Sequence, residues 1–210
     1  MSKPSGADNK TRLMGIFISG NYSWDNIILG DVSIRFDGSS EFGSDSQWGS
    51  FWSVGGGINV HNLKFMKALS WLNQFKIRGT YGATGKVNYP PYAARDTYEV
   101  LFDDWYSTGV GATLQGIGNE KLVWEKTNTT NIGFDLSFFQ SKYSLTFSWY
   151  NRQTVDMITD VTIPSSAGFT SYKDNMGETR NRGYEISLSA TILNTKDFGV
   201  NAFINFARNE

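Results

Sequence analysis

The chain has 210 residues, a formal net charge of −1 and no cysteine. A near-neutral balance offers no bulk basic surface to neutralise phosphates and argues against nucleic acid as a partner; the absence of thiols removes disulfides, thiolate nucleophiles and cysteine-ligated zinc or iron. Aromatics at 15%, with 22 glycines and only 4 prolines, favour long strands over helices. The length suits one sizeable domain or two small ones.

No run of 18 apolar residues exists, and the opening MSKPSGADNKTR lacks the apolar stretch of a secretory signal, so helical membrane spans are excluded. A membrane is not. A strand that crosses lipid at a tilt needs only about 9 to 11 residues of alternating character.

Read at a period of two, eight segments stand out. Residues 11–24 place Met14, Ile16, Ile18 and Tyr22 on one face. The run IILGDVSIRFD sets Ile28, Val32, Ile34 and Phe36 against Asp31, Ser33, Arg35 and Asp37. QWGSFWSVGGGINV sets Trp48, Trp52, Val54, Ile58 and Val60 against Gly49, Ser53, Gly55, Gly57 and Asn59, with Phe51 breaking the polar set. QFKIRGTYGAT opposes Phe75, Ile77 and Tyr81 to Lys76, Arg78, Thr80 and Thr84.

Residues 122–138 put Leu122, Trp124, Ile132, Phe134, Leu136 and Phe138 on the oily side. A sixth segment carries Tyr143, Leu145, Phe147 and Trp149 against Ser144, Thr146 and Ser148. From Thr179 onward, Tyr184, Ile186, Leu188, Ala190 and Ile192 alternate with Gly183, Glu185, Ser187, Ser189 and Thr191. The last, FGVNAFINFA, alternates Phe198, Val200, Ala202, Ile204 and Phe206 with Gly199, Asn201 and Asn205. Eight antiparallel strands are expected.

The links alternate in length. Short ones lie at Asp25 and Asn26, at 140–142 and at 194–197, whereas those at 38–46, 86–121 and 151–177 are long. The intermediate link NLKFMKALSW is expected to form one helical turn through Phe65, Met66 and Leu69, packed against a rim. An up-and-down meander with its long loops at one end fits this order.

A water-soluble sandwich or barrel would use the oily face as its core. Three features weigh against it: alternation sustained for ten or more residues, beyond the usual strand length of about 5 to 6; the alternation of loop lengths; and a polar face of Ser, Thr, Asn and Gly instead of long solvated Lys and Glu. Trp48, Trp124, Tyr143, Trp149 and Tyr184 lie toward strand ends on the oily face, the pattern of an interfacial aromatic girdle.

The blocks YSWDNIILGDVSIRFDGSSEFGSDSQWGSFWSVGGGINV, FMKALSWLNQFKIRGTYGATG, GNEKLVWEKTNTTNIGFDL and PSSAGFTSYKDNMGETRNRGYEISL resemble, in order and spacing, the barrel of the SusC/RagA family of TonB-dependent outer-membrane transporters. The resemblance covers nearly the whole chain from about Tyr22. It implies an outer-membrane barrel of about 22 strands closed around an N-terminal plug. It further implies import of oligosaccharides or peptides, a SusD-like surface lipoprotein as lid, and energy from the TonB complex through the plug, a region with no counterpart here. On this reading residues 1–10 are a disordered or linker start, and residues 11–210 are a partial TonB-dependent transporter β-barrel.

An open eight-stranded sheet would leave two unpaired edges, which lipid does not tolerate. Small residues such as Gly49, Gly55, Ser148 and Ser187 on the inner face would fill a closed eight-stranded barrel poorly. The expected fold is therefore all-β: an antiparallel up-and-down transmembrane β-barrel section, about eight strands of a larger barrel that continues past NFARNE.

Catalytic and metal signals are weak. His61, the only histidine, is expected at a polar rim, and no cofactor, metal or catalytic group is expected. TYGATGKV departs from a phosphate loop at Thr80 and Val87, and GVGATLQG lacks dinucleotide-loop spacing, so both are read as turns. DGSSEFGSDS, with Asp37, Glu41 and Asp45, departs from an EF-hand loop and is read as a solvated hairpin. The long link gathers Tyr89, Tyr92, Tyr98, Asp103, Asp104, Trp105 and Tyr106, flat rings beside carboxylates that suit a stacked sugar with hydroxyls to bind; internal packing of the loop is the alternative.

The expected function is outer-membrane import of an oligomeric nutrient by binding and gated translocation, with outer-membrane lipid, a SusD-like lipoprotein and the TonB complex as partners. Two other readings stay open: a small self-contained outer-membrane barrel acting as an adhesin or enzyme, and a soluble carbohydrate-binding β-domain.

Overall fold

All eight alternating segments become strands, because β-branched and aromatic side chains suit a pleated surface and a period of two commits each strand to one orientation. The computed structural model describes residues 10–43, 46–87 and 92–210, with side chains for all of these except 102–105. Its strands are β1 (Leu13–Trp24), β2 (Ile28–Ser39), β3 (Trp48–Asn59), β4 (Leu72–Lys86), β5 (Thr97–Tyr106), β6 (Gly109–Gly116), β7 (Glu125–Phe138), β8 (Tyr143–Thr162), β9 (Ser171–Asn194) and β10 (Gly199–Asn209). Eight form one antiparallel sheet in the order β1-β2-β3-β4-β7-β8-β9-β10, and β5 pairs with β6 in a separate hairpin. The large sheet is open, with β1 and β10 as its edges.

Register carries the alternation from strand to strand. Trp24, Ile28, Ile58, Ile77, Phe134, Phe147, Ile186 and Phe206 form one cross-strand row through all eight strands. Rings stack along it and beside it, with Phe134 and Phe147 at 5.3 Å and Tyr184 and Phe206 at 5.9 Å. Yet this face is uncovered: Ile77 is 42% exposed, Leu188 45% and Ile204 66%. A soluble sandwich would bury such a row against a second sheet. The oily face therefore looks outward, to lipid.

The tight links gather at one end. Asp25 and Asn26 adopt φ of 49° and 52°, a left-handed geometry that these two residue types tolerate and that hairpin turns require; the turn closes with Ile27 N–H donating to Trp24 O at 2.8 Å. At the same end the link between β3 and β4 forms short 3₁₀ turns at Val60–Asn62 and Met66–Ala68. The helical turn is there, but Phe65 is 70% exposed instead of packed. His61 lies in the first turn, where its Nδ1 accepts the Phe75 N–H at 3.2 Å.

Several expectations need correction. TYGATGKV is no turn, since residues through Lys86 continue β4, and GVGATLQG is β6. The link at 151–177 shrinks to 163–170, because β8 and β9 run far past their oily segments. There apolar residues such as Val155, Met157, Ile158 and Val161 fall out of strict alternation, so the period-two signal disappears although the ladder persists. A bulge around Asp156, with φ of 57°, also shifts its phase.

Candidate functional site: the inner wall and its mouth

Small polar side chains line the other face of the sheet and bond across strands. Ser33 and Ser53 hydroxyls lie 2.8 Å apart, Thr127 and Thr154 3.0 Å, and Ser144 and Ser189 2.6 Å. Some charges on this face pair locally: Arg35 holds the Asp37 carboxylate at 2.6 Å. Arg78 on β4 donates to Asp135 on β7 at 3.3 Å, and its guanidinium then crosses β7 to donate to Ser148 on β8 at 2.7 Å. Register places Gly133 between them, where a Cβ would stand 2.5 Å from Phe147 O and 3.2 Å from Arg78 Nη2. Next along β7, Asn131 Oδ1 is buried and has no hydrogen-bond partner. Such a wall is hydrophilic without a dense field of either sign, which suits passage of a polar, uncharged or mixed-charge cargo.

The mouth at the long-loop end is built differently. Phe42, Phe51, Ala94, Leu122 and Trp124 form a buried cluster, with Val87, Ala93 and Ile158 packed against it. Trp124 stacks on Phe42 at a centroid distance of 4.9 Å and meets Phe51 edge-on at 5.6 Å, while its indole N–H donates to Gln47 O at 3.3 Å. Gly49 is required beside them, since a Cβ would stand 2.6 Å from the Phe51 ring.

Three expectations fall here. Leu122 and Trp124 are buried inside and precede β7, so neither is on the lipid face and Trp124 is no girdle residue. DGSSEFGSDS is not wholly solvated, because Phe42 is fully buried and Asp37 and Ser39 are nearly so. Asp45 lies outside the described residues, and among those described no cluster of three metal-ligating side chains forms.

Polar clamps fix the base of the β5–β6 hairpin. Asn119 N–H donates to Ala93 O at 3.2 Å and Gly118 N–H to Asp96 Oδ1 at 2.8 Å. The Asn119 amide reaches across to Lys173 O and Asp174 Oδ1, at 3.0 and 3.1 Å. Asn175 binds Val123 from both sides, accepting its N–H at 2.9 Å and donating to its carbonyl at 3.0 Å, and also donates to Asp156 O at 2.5 Å. Buried Glu125 accepts the Ile158 N–H at 2.9 Å. The hairpin thus rises from a stapled base.

Of the candidate cargo residues, Tyr89 lies outside the described residues, and Asp103, Asp104 and Trp105 fall on β5 with no side-chain description. Tyr98 and Tyr106 are on β5, 64% and 67% exposed. Tyr92 is apart from them at the hairpin base, where its hydroxyl accepts the Lys10 N–H at 3.3 Å. The sequence reading missed the Arg78–Asp135–Ser148 crossing, the mouth cluster and the Asn119 and Asn175 clamps. Phe51 alone gave a signal: a large ring amid small polar neighbours.

A family model described as TonB dependent receptor-like, beta-barrel, matches residues 3–210. The chain is 32% identical to TonB-dependent receptor P39 of Formosa agariphila, over 98% of this chain and 20% of that protein. It is 33% identical to TonB-dependent receptor SusC of Bacteroides thetaiotaomicron, over 90% and 19% respectively. It superposes on the structure of the RagAB peptide transporter with a TM-score of 0.86 at 33% identity, covering 95% of this chain and 22% of that one. With the siderophore receptor PirA from Pseudomonas aeruginosa the TM-score is 0.60 at 12% identity, covering 95% and 34%, a likeness of fold alone. The chain spans about a fifth of the length of the curated relatives it matches.

Proposed function

The chain belongs to the TonB-dependent receptor family, as strands of its outer-membrane β-barrel and among the relatives of SusC and RagA, and from that premise we propose that it supplies part of the wall and mouth of an active importer of an oligomeric nutrient, an oligosaccharide or a peptide. The observation that carries this reading is the division of eight neighbouring strands into an oily outer face and a largely hydroxyl- and amide-lined inner face, with one apolar row in register across all eight. Import then proceeds by binding and gated movement, with no bond made or broken.

The partners follow from the same premise. A SusD-like lipoprotein covers the mouth, and the TonB complex supplies energy by pulling on a plug domain held within the barrel. Exposed Tyr98 and Tyr106 offer ring faces to cargo as it enters, the stacking that sugar rings and peptide side chains both accept.

The test uses the complete transporter in cells deleted for it, offered fluorescent maltooligosaccharides or casein-derived peptides with and without a protonophore. One cargo class should accumulate, and collapse of the inner-membrane gradient should abolish uptake. Tyr98→Ala combined with Tyr106→Ala should lower uptake about fivefold at unchanged surface level, the cost of removing aromatic anchors. Accumulation of neither class, or uptake indifferent to the gradient, overturns the reading.

A further inference from the structure

Past the girdle the outward face changes character. On β8, β9 and β10 the oily set ends at Trp149, Tyr184 and Phe206, and the next outward positions toward the long-loop end are Asn151, Arg182 and Arg208, followed by Gln153 and Arg180. Three arginines thus occupy the outward face at the edge of the aromatic ring: Arg208 on β10 pairs with Tyr184 at the level of the ring, and Arg182 and Arg180 on β9 lie one and two outward positions beyond it. All three are exposed.

Position fixes what surrounds them. Long loops mark the extracellular end of an outer-membrane barrel, so this level is the headgroup layer of the outer leaflet. An arginine is costly at the bilayer midplane and tolerated at the interface, where its long stem lies along apolar surface and its head meets polar groups.

Their charge is incompletely matched within the chain. Arg182 and Arg208 share one carboxylate, Glu210, at 3.1 and 2.9 Å. Arg180 donates Nε–H to the neutral amide oxygen of Asn151 at 2.8 Å, while nearby Glu178 accepts from the Gln153 amide at 2.5 Å. Positive charge is left in excess. Trp149, Arg182, Tyr184, Arg208 and Glu210 line a cavity of about 200 Å³, with rings at its lower edge and guanidinium groups above.

We propose that Arg180, Arg182 and Arg208 bind the phosphate of an anionic lipid in the outer leaflet, with the acyl chains lying against the Trp149 and Tyr184 rings below. Guanidinium presents paired N–H donors in the geometry that phosphate oxygens accept, and clustered cations beside a membrane bind anionic headgroups. Continuity with the oily belt selects a lipid over a soluble phosphate, because the site opens where the hydrocarbon-facing surface ends.

The experiment takes the complete transporter in detergent and measures retained lipid by native mass spectrometry, with dioleoyl phosphatidic acid, dioleoyl phosphatidylcholine or inorganic phosphate as probes. Phosphatidic acid should be retained in preference to phosphatidylcholine. Arg180→Gln with Arg182→Gln should lower that retention about tenfold or more. The control is Arg152→Gln, which removes one positive charge at the same level but on the inner face, where Arg152 pairs with Asn181; it should leave retention unchanged, whereas Arg182→Gln alone, its one-charge match, should lower it. Equal retention of the two lipids, equal loss in both variants, or retention unaffected by the double substitution overturns the proposal. So does displacement of phosphatidic acid by millimolar inorganic phosphate, which would assign the site to the free ion. Folding of each variant is checked by its retained heat-modifiable mobility, and Arg208→Gln, tested alone, supplies a second readout at a separate strand.

Discussion

The oily belt and the loop-end mouth solve the same problem of hydrophobic side chains in opposite ways. In the belt, Ile77, Leu188 and Ile204 lie in register with their neighbours yet stay exposed, because the apolar surroundings they need are lipid tails. In the mouth, bathed by water, Phe42, Phe51, Leu122 and Trp124 converge from three chain segments into a dry cluster. The belt is therefore stabilised by where it sits, and the mouth by what it packs against. Substitutions should separate the two.

The largest effect is expected at Trp124. Trp124→Ala removes the ring that stacks on Phe42 and touches Phe51, a loss of about 3 to 5 kcal/mol for a buried aromatic. Hydrogen exchange on the complete transporter should show lost protection at 40–43, 92–96 and 117–123, with β7 to β10 below Trp149 unchanged. Deprotection of the belt as well would mean that the two regions are one cooperative unit.

The belt is tested by a neighbouring pair. Leu145 pairs with Leu136 and Leu188 on the outer face, whereas Thr146 pairs with Asp135 and Ser187 on the inner one. Leu145→Arg should cost about 2 to 4 kcal/mol in a lipid refolding titration, the penalty for a charge near the bilayer midplane, and Thr146→Arg much less. Equal costs at the two positions would reverse the assignment of faces.

The same contrast explains what could be read from the sequence. Lipid demands that every second residue be apolar, so the belt strands and their order were legible, as were the short links at Asp25 and Asn26, whose residue types suit the left-handed turn. Water makes no such demand. Beyond Gln153 on β8 and before Arg180 on β9 apolar residues such as Val155, Met157, Ile158 and Val161 no longer keep a period of two, and the ladder continues through main-chain bonds across a bulge. The mouth cluster joins residues as distant as Phe42 and Trp124, so no local period reveals it. Nor could Arg78 be matched to Ser148 before register set Gly133 between them.

The smallest predicted effect belongs to the polar side of the mouth. The Tyr172 hydroxyl donates to Asp174 Oδ2 at 3.3 Å, and the negative charge of that carboxylate holds the phenol above its ordinary value of 10.0, helped by partial burial and by the hydrogen bond itself. Asp174 is also tied to the Asn119 amide and to the Asn175 N–H. A group whose folded value is raised contributes stability below its unfolded value and loses that contribution as pH climbs through the folded one. Tyr172 should therefore stabilise the mouth through neutral pH and up to about 10, then release its hold on Asp174 at higher pH. In tyrosine-labelled ¹³C NMR of the complete transporter, with the resonance assigned by Tyr172→Phe, Asp174→Asn should bring the titration back toward the ordinary phenol. A midpoint that stays raised in the Asn variant would place the cause in burial instead of charge, and the link between this tyrosine and the clamp at Asn119 would fail.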